Sequence, residues 1–263
     1  MFTSYMDASL SGDRNIIAVG GFLMKEPDTN LFKKEWSSRI AQDNLTFFHM
    51  SECCTRPKGT PYTLLGRHKC DALIKDLINI LKARLHAWCA VSVTVTEHTD
   101  ATRDWSRQIG RDWLAVFGHA FNSCLMRCVG LVKSWADEVQ YHGPINYIFE
   151  AGDEYQSEAN RSMLLVCRHP ILRKEYRYGS HEFRGKENES LQGADAIAYE
   201  WRADRENQFE SESIVRPRRL SLQALLRRPN RVIYLRNYEL NIFFRDSAEL
   251  FFSDKFRKYL KQS

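Results

Sequence analysis

Long uninterrupted apolar runs are missing from this 263-residue chain, and none approaches the roughly 18 uncharged residues that cross a bilayer. A membrane-spanning role is therefore not expected. The opening stretch from Met1 to Asp7 has neither the basic flank nor the apolar core of a secretory leader. Cysteine is present but unorganised. The seven cysteines form no disulfide framework and no pair of Cys-x-x-Cys motifs of the kind that holds structural zinc. A reducing, cytoplasmic setting is the expectation that follows. Cys124 and Cys128 share one helix face with Leu and Val neighbours, which points to core packing. Also absent are a Walker-type phosphate loop, a Gly-x-Gly-x-x-Gly fingerprint and a Gly-x-Ser-x-Gly nucleophile elbow. Internal repeats and low-complexity segments are missing too.

What is present suits a globular protein. Hydrophobic residues make up 43% of the chain, enough to bury a sizeable core. The net charge of +5 is mildly basic and by itself only weakly favours a polyanionic partner.

Residues 2–8 alternate as a strand, with Phe2, Ser4, Met6 and Ala8 on one face and Thr3, Tyr5 and Asp7 on the other. A short Gly/Asp/Asn turn and the apolar run Ile16–Met24 complete a hairpin. Helical spacing follows over Thr29–Asn44, with Leu31, Trp36 and Ile40 as candidate buried positions, and over Leu64–Arg84. His86–Thr96 alternates as a strand, and Arg111–Val139 is helix-like. Ile145–Glu150 forms a short buried strand with an acid at its end. A helix over Ser157–Cys167, a strand over Tyr176–Phe183 and a helix over Leu191–Asp204 come next. The last 50 residues hold an Arg-rich stretch, a strand-like Val232–Leu235 and an amphipathic helix. Strands interleaved with helices predict an α/β layer architecture, a central mixed sheet flanked by helices. We divide the chain into one domain over residues 1–212 and an Arg-rich extension over 213–263 that packs on that same domain.

Three acids stand where strands end or a helix faces inward. Asp7 is near the end of the first strand, Glu150 closes the later one, and Asp195 interrupts the small, apolar run Leu191–Tyr199. A carboxylate on such a helix is costly to bury without compensation. If the three converge, repulsion raises their pKa values until a cation compensates, and a hard divalent ion takes such oxygen ligands. Strand-terminal acids also cap helices or pair with arginine, and spacing does not decide between the two readings. Asp153 and Glu154 are alternative carboxylates beside Glu150.

Several motifs run in order along the chain: Tyr5-Met-Asp-Ala-Ser9, Ala18-Val-Gly-Gly-Phe-Leu23, Phe48-His-Met-Ser-Glu52, Ile148-Phe-Glu-Ala-Gly-Asp-Glu154, Leu191-Gln-Gly-Ala-Asp-Ala-Ile-Ala-Tyr-Glu200 and Arg218–Leu226. Together they resemble the domain-of-unknown-function 3800 family, and the segment around Asp195 is the most specific of them. The resemblance implies an RNase H-like α/β fold akin to integrase-type nucleases. It implies Asp7, Glu150 and Asp195 as ligands of Mg²⁺ or Mn²⁺, with Asp153 as a further candidate. The expected activity is metal-dependent phosphodiester cleavage, that of a nuclease or related phosphoryl-transfer enzyme. Where the family commonly has Asp-Glu-Ser-Gly, Ala8 stands here in place of Glu. A catalytically weak or inactive binding module is accordingly the alternative.

His49 and Glu52 are candidates for a proton shuttle and a further acid at the site, because histidine titrates near neutrality. Glu200, five positions after Asp195, falls about 140° round the helix and is expected to be structural. Seven arginines, Arg216, Arg218, Arg219, Arg227, Arg228, Arg231 and Arg236, lie between Ser213 and Tyr238 with no acid among them. Such a segment suits contact with nucleic-acid phosphates.

Overall fold

The computed structural model describes residues 1–13, 15–152, 155–210 and 216–252, which form six strands and eleven helices. β1 (Phe2–Leu10) turns back through Ser11, whose Oγ accepts from the Ile16 amide at 2.9 Å, into β2 (Ile16–Lys25). α1 (Glu26–Ala41) starts with Pro27 in its first turn and buries Phe32, Trp36 and Ile40. Leu31, expected inside, is exposed. The i, i+4, i+8 row of 32, 36 and 40 sets the buried stripe, and residue 31 falls a hundred degrees off it.

α2 (Met50–Thr55) is a single short helix, and α3 (Pro61–Arg84) is kinked at Gly66, whose φ is +73°. β3 (Ala87–Thr94) is buried along its whole length and runs into α4 (Val95–Ile109), a helix whose polar surface hid it from the periodicity argument. The helix-like stretch over 111–139 divides into α5 (Trp113–Phe117) and α6 (Ala120–Glu138). The break falls at Gly118, whose φ of +91° is open to glycine and costly for other residues. β4 (Ile145–Glu150), α7 (Gln156–Arg168), α8 (Pro170–Glu175), β5 (Tyr178–Arg184) and the long α9 (Glu189–Glu210) follow. α10 (Leu220–Leu226), β6 (Asn230–Leu235) and α11 (Asn237–Phe252) complete the described chain.

The protein is α/β, with one mixed sheet in the order β5-β4-β1-β2-β3-β6. β2 is antiparallel to both β1 and β3, whereas β4 is parallel to β1, β5 to β4 and β6 to β3. Alternation along the strands gives each face its own core. Met6, Val19, Val91 and Phe149 face α6, α7 and α11. Tyr5, Ala18, Ala90 and Ile148 face α1, α3, α9 and α10. The described part of the Arg-rich segment completes the same layers: β6 extends the sheet edge, and Trp88 Nε1 donates to the Leu225 carbonyl at 2.9 Å. Among the described residues no helix is long and apolar enough to cross a membrane.

Candidate functional site

Parallel pairing brings the first two acids together. Met6 is opposite Phe149 in the β1–β4 register, so Asp7 and Glu150 come one step later on neighbouring strands. They share the sheet face of Tyr5 and Ile148, the face that α9 covers. Asp7 is paired across β2 with Gly20, and a Cβ on Gly20 would lie 2.5 Å from the Ala198 amide nitrogen. The missing side chain lets the α9 backbone settle onto the sheet beside Asp7. Asp195, one helical turn before Ala198, then arrives at the strand ends.

Asp7 and Asp195 are buried, Glu150 is half-buried, and the three carboxylates act on one another. Burial raises the Asp7 pKa well above the ordinary carboxylate range, and a side-chain hydrogen bond with Glu150 and repulsion by Glu150 and Asp195 raise it further. The Ala8 amide, donating to Asp7 Oδ1 at 2.6 Å, opposes this only in part. Burial likewise raises Asp195, against the lowering effects of His49, the Met50 amide and Lys186. That amide donates to Asp195 Oδ2 at 2.7 Å.

His49 bridges two acids, with Nε2 at 3.9 Å from Asp195 Oδ1 and Nδ1 at 3.4 Å from Glu52 Oε1. Glu52 thus meets the cluster through His49. The two candidates from the Phe48–Glu52 motif therefore do join the acids, whereas Asp153 and Glu154 lie outside the described residues. Glu200 faces away from the acids, accepting from Ser221 Oγ at 2.6 Å and pairing with Arg219 at 3.1 Å.

Two participants are not among the candidate site residues of the sequence. Lys186, in the loop between β5 and α9, places Nζ 3.1 Å from Glu150 Oε1. Burial alone would lower its pKa, but Glu150, Asp7 and Asp195 together move it upward. Gln192, one turn before Asp195, is the anchor. Its Oε1 accepts from Trp36 Nε1 at 2.8 Å and from the Phe48 amide at 2.9 Å, while Nε2 donates to the Lys186 carbonyl at 3.0 Å. One buried amide thus ties α1, the His49 segment and the Lys186 loop to α9. The only sequence signal for Lys186 is its position just ahead of the Asp195 helix.

The donor set suits a hard divalent ion: three oxygen-bearing groups, one of them with a buried oxygen, Glu150 Oε1, whose partner is the Lys186 ammonium. Among the described residues, no three His, Cys, Asp or Glu side chains already stand in ligating geometry. The cysteines bring no zinc-type grouping, and Cys124 and Cys128 are buried in the core.

The basic segment is largely engaged within the protein. Arg218 pairs with Asp204 at 3.1 Å, Arg231 pairs with Glu138, and Arg228 donates to the Leu85 carbonyl at 3.2 Å. Arg219 holds Glu200 and also donates to Cys54 Sγ at 3.0 Å. Arg216, Arg227 and Arg236 are exposed.

Comparison of the chain with protein-family models, with curated proteins and with solved structures finds no match.

Proposed function

We propose that this is an RNase H-like protein that binds Mg²⁺ or Mn²⁺ through Asp7, Glu150 and Asp195 and hydrolyses phosphodiester bonds in nucleic acid. One observation carries the proposal: three acids remote in sequence meet where β1, β4 and α9 come together, Asp7 and Asp195 buried and Glu150 half-buried, with Lys186 as the nearby ammonium among the described residues. Structural acids of ordinary kind are each matched to a cation or a cap, and here three charges share too little compensation. The strand order supports the fold assignment. An antiparallel trio β3-β2-β1 continued by two strands parallel to β1 is the RNase H-like sheet plan, with β6 added at the far edge.

A bound divalent ion of this type supplies charge compensation for phosphate oxygens and makes a bound water a better nucleophile. The residues of the chain do the rest. Asp7, Glu150 and Asp195 provide the anionic seat, and the Ala8 and Met50 amides orient two of its oxygens. His49, steadied between Glu52 and Asp195, is assigned to proton transfer. Arg227 and Arg236 are exposed and suited to backbone phosphates; Arg218, Arg219 and Arg228 serve mainly to hold the fold.

The test is cleavage of DNA and RNA by the purified chain in Mg²⁺ or Mn²⁺. Asp7→Asn and Asp195→Asn are each expected to lower the rate roughly a hundredfold or more, as loss of a main electrostatic group does. Equal cleavage by wild type and both variants rejects the assignment. A second reading, a catalytically weak or inactive module that binds nucleic acid or protein, is favoured by Ala8 and by the lack of ready-made ligating geometry among the described residues. Salt-dependent binding that ignores divalent metal is its signature.

A further inference from the structure

Among the described residues Lys186 is the ammonium in contact with the acidic site, and its placement differs from that of a surface lysine. Its backbone is fixed: the Asn188 amide donates to the Gly185 carbonyl at 3.1 Å, and Gln192 Nε2 holds the Lys186 carbonyl. Its side chain is 59% exposed and reaches inward to a Glu150 side chain that is only 12% exposed. A tethered, flexible cation at the mouth of a buried anionic cluster can approach the carboxylates or withdraw into solvent at little conformational cost. Glu150 Oε1, the oxygen it meets, is buried and has no other hydrogen-bond partner among the described residues, so the lysine contact is what compensates that atom. The same oxygen is one that a divalent ion would take.

We propose that Lys186 is the resident cation of the acidic site, compensating Glu150, Asp7 and Asp195 while no divalent ion is bound, and that such an ion enters by displacing it. The inference rests on the metal-binding reading above and adds a competitor to it. Only an exchange of cations is involved, and no bond is made or broken. Glu150 on β4 touches the ammonium, Asp7 on β1 and Asp195 on α9 act on it electrostatically, and His49 Nε2 lies 3.9 Å from Asp195 Oδ1.

Isothermal titration of the full chain with MnCl₂ tests this, comparing wild type, Lys186→Gln and Lys186→Arg, with thermal melts in EDTA and in Mn²⁺. Lys186→Gln is expected to bind Mn²⁺ about three- to tenfold more tightly, the size of one partly exposed charge contact. Lys186→Arg keeps the competing charge and is expected to gain nothing. In EDTA, Lys186→Gln should melt below wild type, and Mn²⁺ should raise its melting temperature by more than it raises that of wild type. Unchanged or weaker Mn²⁺ binding by Lys186→Gln, with wild type still binding, overturns the competition and leaves the metal reading intact. A gain that survives in the Lys186→Gln/Asp195→Asn double variant also overturns it, because the extra affinity then lies elsewhere. If neither wild type nor Lys186→Gln binds Mn²⁺, both the competition and the metal reading fall.

Discussion

Asp7 combines three features in one carboxylate: burial, a neighbouring carboxyl within hydrogen-bonding reach, and a backbone amide that donates to it. Its pKa and that of Asp195 are raised in the folded protein, so the sign of the pH effect is fixed. A raised acid favours the protonated fold, and its contribution is complete below the unfolded value. That contribution is lost as pH rises through the folded value. Metal-free protein is therefore expected to lose stability as pH climbs from the ordinary aspartate range towards neutrality. Asp7→Asn removes one of the repelling charges while keeping an acceptor for the Ala8 amide. In EDTA at neutral pH it should melt roughly 2–6 °C above wild type, corresponding to about 1–2 kcal/mol. Its melting temperature should also vary less with pH across that range. Melts of both proteins at acidic and neutral pH check this, and a variant less stable than wild type at neutral pH contradicts the electrostatic account.

At the scale of elements, the site depends on how closely α9 approaches the sheet. Gly20 lies directly under the Ala198 backbone, and the two nearest atoms that a Cβ would meet there, Ala198 N and Cα, are main-chain atoms, which cannot turn aside. Gly20→Ala is expected to cost about 3 kcal/mol, the upper end of overpacking effects, measured by urea unfolding. Because Gly20 is the cross-strand partner of Asp7, the variant should also weaken Mn²⁺ binding without altering any ligand. The hairpin, the acid-tipped β4 and the apolar face of α9 (Leu191, Ala194, Ile197, Ala198 and Trp201) were all legible in sequence, because local periodicity encodes them. α4 was not, since its exposed face is polar and its buried residues, His98, Ala101 and Thr102, are not large apolar side chains. Nor was the division of residues 111–139, where one left-handed glycine separates two helices with continuous apolar spacing.

Across the whole molecule, the Arg-rich segment acts first as a fastening. Glu200 is fully buried on α9, and it receives Arg219 and Ser221 from the chain that leads into α10 and the edge strand β6. Glu200→Ala strands the Arg219 guanidinium. Breaking a buried pair is strongly destabilising, but Arg219 is 36% exposed, which leaves about 2 kcal/mol. Urea unfolding measures this, and limited proteolysis should show earlier cutting between α9 and α10 than in wild type. Arg218, Arg219 and Arg231, three of the charges that suggested a nucleic-acid surface, are thus balanced inside the fold. The sequence showed seven arginines without a local acid, whereas Asp204, Glu200 and Glu138 come from distant parts of the chain.

The sequence by itself determined the α/β class, the strands that carry Asp7 and Glu150, and the apolar helix interrupted by Asp195. Each of these is a local pattern of side chains along one strand or helix. Only the tertiary structure decided that the three acids meet, because their meeting follows from parallel β1–β4 register and from the bare backbone of Gly20 beneath α9. The tertiary structure also supplied Lys186 and Gln192, whose roles are set by long-range proximity and have no periodicity to reveal them.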